Sequence, residues 1–329
     1  MPADSQPLVG IARLAAQAPL LEAKRTVEYH ELPARSLLNR CSSPRMPFQW
    51  TINPYRGCEF GCRYCYARYT HEFMELRQPE DFEDKIFAKR FSPRALREEL
   101  KRVRAGEEIA IGTATDPYQP AERRFKITGG VVAVLAGLEG HRLSITTKSD
   151  LVVRDIDLLQ RIARANVLHV NITITTLDAG LARLLEPRAP RPDLRLSAVR
   201  RLAESGLSVG VFPNPIMPLL TDSERSLDAL ASASAAAGAQ YFGGGVLFLK
   251  PCAQAVFLPF LGRHFPQLAT RYRERFARSA FLPGDYTEVI KERLARIRAR
   301  HGLASLPTDY CPENWPADPQ GELFPPDAA

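Results

Sequence analysis

Between residues 50 and 249 the apolar positions switch repeatedly between two periods. Short β-branched or alternating runs fall at 50–53, 108–112, 142–147, 167–175, 207–212 and 241–249. Such runs read as strands when turn residues bound them. Between them lie segments whose apolar residues recur with helical spacing, at 66–76, 92–103, 128–138, 154–164, 178–185, 193–205 and 222–237. The second begins Ser92-Pro93, a capping serine followed by proline at the first helical position. Six strands alternating with helices predict a parallel sheet with right-handed crossovers. Six units close only part of a barrel, and functional groups are expected at the C-terminal ends of its strands.

The flanks differ from this core. Residues 1–46 have little periodicity and a polar, basic cast from Arg25, Tyr29, His30, Arg35 and Arg40. They read as an extended arm with a disordered start. Residues 251–306 read as a helical extension and 307–329 as a Pro-rich tail, its first part anchored by Cys311 and Trp315. The core is then 47–250. From Arg263 to Arg300 there are ten Lys and Arg against four Asp and Glu, a net of +6 out of +7 for all 329 residues. The pI is about 9.2. A basic helical segment is attracted to polyanions, so nucleic acid is a candidate partner; the helices read equally as a phosphate-binding cover over the barrel mouth or as a solvated surface. No apolar run reaches the roughly 18 residues of a membrane span, and the start lacks a basic stretch followed by an apolar core. Six cysteines, three of them clustered, do not form a disulfide pattern. A reducing cytoplasmic location is expected.

The clustered thiols are Cys58, Cys62 and Cys65, spaced C-x3-C-x2-C in the loop after the first strand. Three thiolates in one loop can reach one metal centre, and soft sulfur ligands select zinc, Cu(I) or iron–sulfur. A cubane cluster ordinarily takes four cysteines; three leave one iron open to another ligand. Gly57 and Gly61 let the backbone turn tightly. The competing reading is a zinc knuckle with a distant fourth ligand, for which His71 is available.

The segments Cys-Arg-Tyr-Cys-Tyr-Ala-Arg (62–68), Thr-Asp-Pro-Tyr-Gln-Pro-Ala-Glu (115–122), Thr-Lys-Ser (147–149), Glu-Pro-Arg (186–188) and Pro-Asn-Pro-Ile-Met-Pro-Leu-Leu-Thr-Asp (213–222) resemble the radical S-adenosylmethionine (SAM) superfamily, in its spore photoproduct lyase-like branch. The resemblance covers roughly residues 47–250. It implies an α/β fold, a partial (β/α)6 TIM-like barrel. It also implies a [4Fe–4S] cluster on Cys58, Cys62 and Cys65, with SAM chelated by the fourth iron. An electron, from a donor such as flavodoxin or ferredoxin, would cleave SAM to a 5′-deoxyadenosyl radical that abstracts hydrogen from substrate.

The strand ends supply further candidates. Thr115 and Asp116 follow the second strand, and Asp116 could accept from the SAM amino group. Lys148 and Ser149 follow the third; the family uses a lysine in this context, which can pair with the SAM carboxylate. Thr173 and Thr175, on one strand face, could bind the ribose. Asn214 follows the fifth strand, where the family's backbone approaches adenine, and Tyr64 offers a ring near adenine. Glu186 and Arg188 could hold the loop by ion pairs. One departure matters: Thr113 stands where spore photoproduct lyase has a hydrogen-donating cysteine, and an O–H bond is too strong for that role. Cys252 is the better-placed substitute; Cys311, Tyr118 and Tyr66 are alternatives. Three functions compete: a radical SAM enzyme on nucleic acid (lesion repair or base modification), one on a small molecule or protein, and a non-catalytic zinc or iron–sulfur nucleic-acid-binding protein.

Overall fold

The computed structural model describes residues 8–316 apart from 24–26, 45 and 105. Arg25, the first seven residues with their expected disorder, and the tail beyond 316 lie outside the described residues. Six parallel strands form the core: β1 (Trp50–Ile52), β2 (Glu108–Ile111), β3 (Arg142–Thr147), β4 (Val167–Thr173), β5 (Ser208–Phe212) and β6 (Tyr241–Phe242). Each pairs with its sequence neighbours, giving the order β6-β5-β4-β3-β2-β1, and Leu38–Arg40 adds an antiparallel edge beside β1. This is the partial (β/α)6 barrel. Its strands register apolar positions across the sheet, with Ile109 opposite Leu143, Ile145 opposite Val170, and Ile172 opposite Val211. Every residue of β4 is buried, as expected of a central parallel strand covered on both faces.

The intervening helices start where the sequence predicts. Ser92 accepts from the Ala95 amide and Ser223 from the Ser226 amide, each satisfying an N-terminal donor. Two expected elements break early. The helix over 66–76 is a 3-10 turn Tyr66–Arg68 followed by Tyr69–Glu72, and Glu75 has φ 58°. The strand over 241–249 stops after Phe242, at Gly243-Gly244-Gly245. The chain then runs beside Ile216, to which the Leu247 amide donates.

The N-terminal arm is more structured than its sequence suggests. It holds a helix, Gly10–Ala16, and strands Leu20–Ala23 and Glu28–Leu32. These strands build a second sheet with Lys85–Lys89 and Tyr55–Arg56. Tyr55–Arg56 leads directly into the cysteine loop, so the arm's sheet is the loop's foundation.

The C-terminal segment folds as Pro251–His264, Pro266–Phe276 and Gly284–His301. Phe257, Phe260, Tyr272 and Phe276 share a hydrophobic cluster with Phe60, Tyr64 and Phe82 of the cysteine-loop region. Part of the positive charge expected to form a basic cover is already paired within the fold. The last helix docks on Glu224–Ala236, where Arg296 pairs with Glu224 at 3.5 Å, Arg300 with Asp228 at 2.6 Å, and His301 with Asp228 at 2.9 Å. Arg293 donates to the Asp222 carbonyl. The tail is anchored by Tyr310, whose hydroxyl accepts from the Leu168 amide at 2.9 Å. Cys311 and Trp315 are exposed and do not provide the expected anchor. No helix is long and apolar enough to cross a membrane among the described residues.

Glu99 ties the arm to the barrel. Its Oε2 accepts from the amides of Leu37 and Leu38 at 3.0 and 2.8 Å and from Ser36 Oγ at 2.9 Å. Replacing Glu99 by Ala orphans two amides, on buried Leu37 and Leu38, at about 1–3 kcal/mol. Urea unfolding should register that loss, and hydrogen exchange should quicken at Leu37 and Leu38 first.

Candidate active site

The cysteine loop is folded by its glycines and by backbone acceptors. Gly57 has φ +79°, and a Cβ there would lie 2.8 Å from the carbonyls of both Lys85 and Phe82, so only glycine fits without a shift. The Gly57 carbonyl accepts from Thr115 Oγ1 at 2.6 Å and Gln119 Nε2 at 3.0 Å. The Cys58 amide donates to the Phe82 carbonyl. One buried ion pair grips the loop further along. Arg68 pairs with Glu83 at 2.5 Å while donating to the Cys62 carbonyl at 3.2 Å. Arg188 pairs with Asp84 outside the loop at 3.1 Å, and its amide donates to the loop carbonyl of Phe60.

Cys58, Cys62 and Cys65 all line one cavity of about 310 Å³ and all are free thiols. Its wall also takes Thr113, Asp116, Lys148, Thr173 and Asn214 from the C-terminal ends of successive strands, with Tyr64 and Thr115. Burial raises all three thiols above their ordinary range, Cys62 to about 12, although Lys148 pulls Cys62 the other way. Buried thiols are the environment in which a cationic metal centre ionises sulfur and replaces lost solvation. Among the described residues no three or more His, Cys, Asp and Glu side chains converge as one metal ion requires. The shared cavity instead offers the thiols room for a larger centre, and the donor set of three sulfurs fits a cluster with an open iron. His71 is not a fourth ligand. It is buried, its Nε2 lies 3.0 Å from the Lys85 carbonyl, and its ring packs edge-on to Phe82 and Phe87.

Asp116 is half-buried at the junction of β2 and β3. Oδ1 accepts from Thr147 Oγ1 at 2.6 Å and the Tyr118 amide at 3.0 Å, and Oδ2 from the Lys148 amide at 2.7 Å. Burial raises its carboxyl against these bonds. Lys148 reaches over Tyr64, Nζ 5.8 Å from the ring centroid. Asn214, preceding a cis peptide bond to Pro215, accepts from the Gly245 amide at 2.7 Å.

Three expected site residues lie elsewhere. Ser149 caps the following turn by accepting from the Leu151 amide. Thr175 is buried behind the wall, its Oγ1 2.7 Å from Glu186 Oε1 and 3.1 Å from the Asn214 carbonyl. Cys252, on Pro251–His264, lines a different cleft with Arg68, Glu72 and Arg77, so it does not face the thiol cavity as a hydrogen donor would. Two features were missed. Arg195, 1% exposed, pairs with Glu186 at 2.5 Å, yet an arginine within a helical pattern reads as surface. Phe248 and Phe281 extend from Tyr66 at the cavity mouth, with ring centroids 5.1 and 5.7 Å apart in sequence; no spacing signals that meeting.

A family model described as "Radical SAM superfamily" matches residues 52–230. The chain belongs to the radical SAM superfamily. An uncharacterized protein of Mycobacterium tuberculosis is 35% identical over 328 residues, 98% of this chain and 93% of its own. One from Methanocaldococcus jannaschii is 29% identical over 198 residues, covering 60% of this chain and 71% of its own. A spore photoproduct lyase mutant superposes with a TM-score of 0.62 at 15% identity, covering 83% of this chain and 79% of that one. Another, with bound SAM and a dinucleoside spore photoproduct, gives 0.59, covering 82% and 78%. These likenesses carry the fold. The radical SAM family uses a [4Fe–4S] cluster and SAM, and the donor set of the cavity suits both.

The Glu186 carboxylate holds Tyr64, Thr175 and Arg195 together. Glu186→Ala strands the buried Arg195 charge and should cost roughly 3–5 kcal/mol, read as a lowered urea midpoint. His71 supplies a pH test. Burial lowers it to about 4, so the unfolded chain takes up its proton first. Its contribution is present above pH about 6.5 and is lost as pH falls towards 4, by roughly 3 kcal/mol. Urea midpoints should therefore fall less steeply across that window in His71→Asn than in the wild type.

Proposed function

We propose that this chain is a radical SAM enzyme whose cluster is held by Cys58, Cys62 and Cys65 and whose substrate presents an unstacked nucleobase. The observation that carries the first part is the sharing of one cavity by the three free thiols, Lys148 and Asp116 at the strand ends. When bound, the cluster and SAM supply one-electron cleavage of a C–S bond and hydrogen-atom abstraction. The chain's own residues bind and orient. Lys148, the cation facing the thiols, would meet the SAM carboxylate. Asp116, with Oδ2 holding a single bond, keeps capacity for an ammonium. Asn214 and Tyr64 would flank the adenine, and Thr173 the ribose. Thr115 and Gln119 hold the loop carbonyl of Gly57 rather than a ligand.

The nucleobase reading is supported by Tyr66, Phe248 and Phe281, a row of rings from the cavity to the surface in which Phe281 is 52% exposed. Aromatic side chains stack on splayed bases at about 1–3 kcal/mol each. A small-molecule substrate is the second reading, favoured by the ion-paired state of the basic helix. An electron donor and a cytoplasmic setting go with the proposal.

The protein reconstituted anaerobically with iron and sulfide should absorb in the visible and, with dithionite and SAM, release 5′-deoxyadenosine. Cys62→Ala should do neither. Binding of a single-stranded DNA oligonucleotide should weaken by about 1–3 kcal/mol in Phe281→Ala and little in Arg296→Gln. No oligonucleotide binding at low salt sinks the nucleobase reading and leaves the small-molecule one.

A further inference from the structure

A second cleft lies away from the thiols, between the N-terminal helix and the arm's sheet. Its space is about 400 Å³. Four cations line it, Arg13, Arg35, Arg56 and Lys89, and among the described residues no Asp or Glu does. Arg13 and Arg35 are exposed at its rim. Lys89 is 6% exposed, and among the described residues no acceptor or acid pairs with its ammonium. Arg56 keeps one hydrogen bond, from Nη1 to the Thr70 carbonyl at 3.3 Å, while its buried Nε has none.

A buried ammonium beside a half-buried guanidinium, neither ion-paired among the described residues, is costly. Burial and then the charge of Arg56 push the Lys89 ammonium down to about 8. Glu99 acts on Lys89 in the opposite sense but less than Arg56 does, and its Oε2 is committed to Leu37, Leu38 and Ser36. Elsewhere the fold behaves differently: buried Arg68 and Arg195 each have a carboxylate at 2.5 Å. Asn39 and Ser36 add amide and hydroxyl groups to the wall.

We infer that this cleft is a phosphate-binding site, built by Lys89 and Arg56 at its floor and Arg13 and Arg35 at its rim. Three guanidinium groups and an ammonium match the several oxygens and charge of a phosphate better than a single carboxylate. The space exceeds one phosphate, so the ligand is a phosphate ester, either a free phosphorylated molecule or a nucleic-acid backbone. The cleft is joined to the cysteine loop through the strands. The Lys89 amide donates to the Pro54 carbonyl, and Arg56 pairs with Phe87 in the strand that Lys89 ends. The site stands independently of the radical chemistry.

The test uses the full-length protein and thermal unfolding, in inorganic phosphate against chloride at equal ionic strength and pH. Phosphate should raise the midpoint by about 3 °C near saturation. Lys89→Met should abolish the increment and, having removed an unpaired buried charge, should unfold no earlier than wild type in chloride. Arg35→Gln, at the exposed rim, keeps the test open if Lys89→Met misfolds; it should raise the half-saturating phosphate concentration several-fold. A single-stranded oligonucleotide that displaces phosphate assigns the site to backbone phosphate, and one that does not assigns it to a free phosphate ester. A shift no larger in phosphate than in chloride, or one unchanged in Lys89→Met or, failing that, in Arg35→Gln, overturns the inference.

Discussion

The site depends on one buried ion pair. Glu186 and Arg195 are each 1% exposed, with their charged atoms 2.5 Å apart. Burial alone would raise the Glu186 carboxyl, but Arg195, Lys148 and the hydroxyls of Tyr64 and Thr175 together hold it below its ordinary range. The carboxylate stays ionised and can accept from Tyr64 of the cysteine loop and from Thr175 beyond β4. Arg195 passes the constraint on, donating to the Thr173 carbonyl at 3.1 Å and the Pro190 carbonyl at 2.8 Å. A pair of this kind contributes little net stability compared with an apolar substitute. Its consequence is positional: the loop cannot shift without stranding a charge.

That constraint explains how a loop can present three thiols with little regular structure of its own. Arg68 and Glu83 clamp one side and Glu186 and Arg195 the other, while Thr115 and Gln119 hold its start at the Gly57 carbonyl. The thiols themselves make no structural bonds across the loop. Their positions are therefore set before any ligand arrives, which lowers the ordering cost of binding.

Legibility followed sequence separation. The six strands and most helices were readable because each is a local periodic pattern with its own caps, and the C-x3-C-x2-C loop because all three donors lie within eight residues. Local reading failed where a partner came from far away. The arm's strands alternate too weakly to stand alone and exist because Glu28–Leu32 pairs with Lys85–Lys89. Thr175 shares a strand face with Thr173, but the strand ends at Thr173 and Thr175 turns to Glu186, eleven residues on. Cys252 follows the sixth strand in sequence, yet three glycines and the run beside Ile216 carry it past the cavity.

Charge illustrates the same limit. Counting residues points to the C-terminal helix as the basic surface, but counting ignores what lies opposite. Arg296 and Arg300 face Glu224 and Asp228 on the neighbouring helix, and a polyanion would have to compete with those carboxylates. In sequence, Arg13, Arg35, Arg56 and Lys89 are scattered, and only Arg35 stands out, as part of the basic arm. The fold gathers them around one cleft with, among the described residues, no carboxylate in its wall. A cation already satisfied offers an anion only an exchange of partners, whereas a buried unpaired one recovers part of its lost solvation on binding. Affinity for anions is therefore expected where the folded chain leaves positive charge uncompensated, and net charge along the sequence is a poor guide to that place.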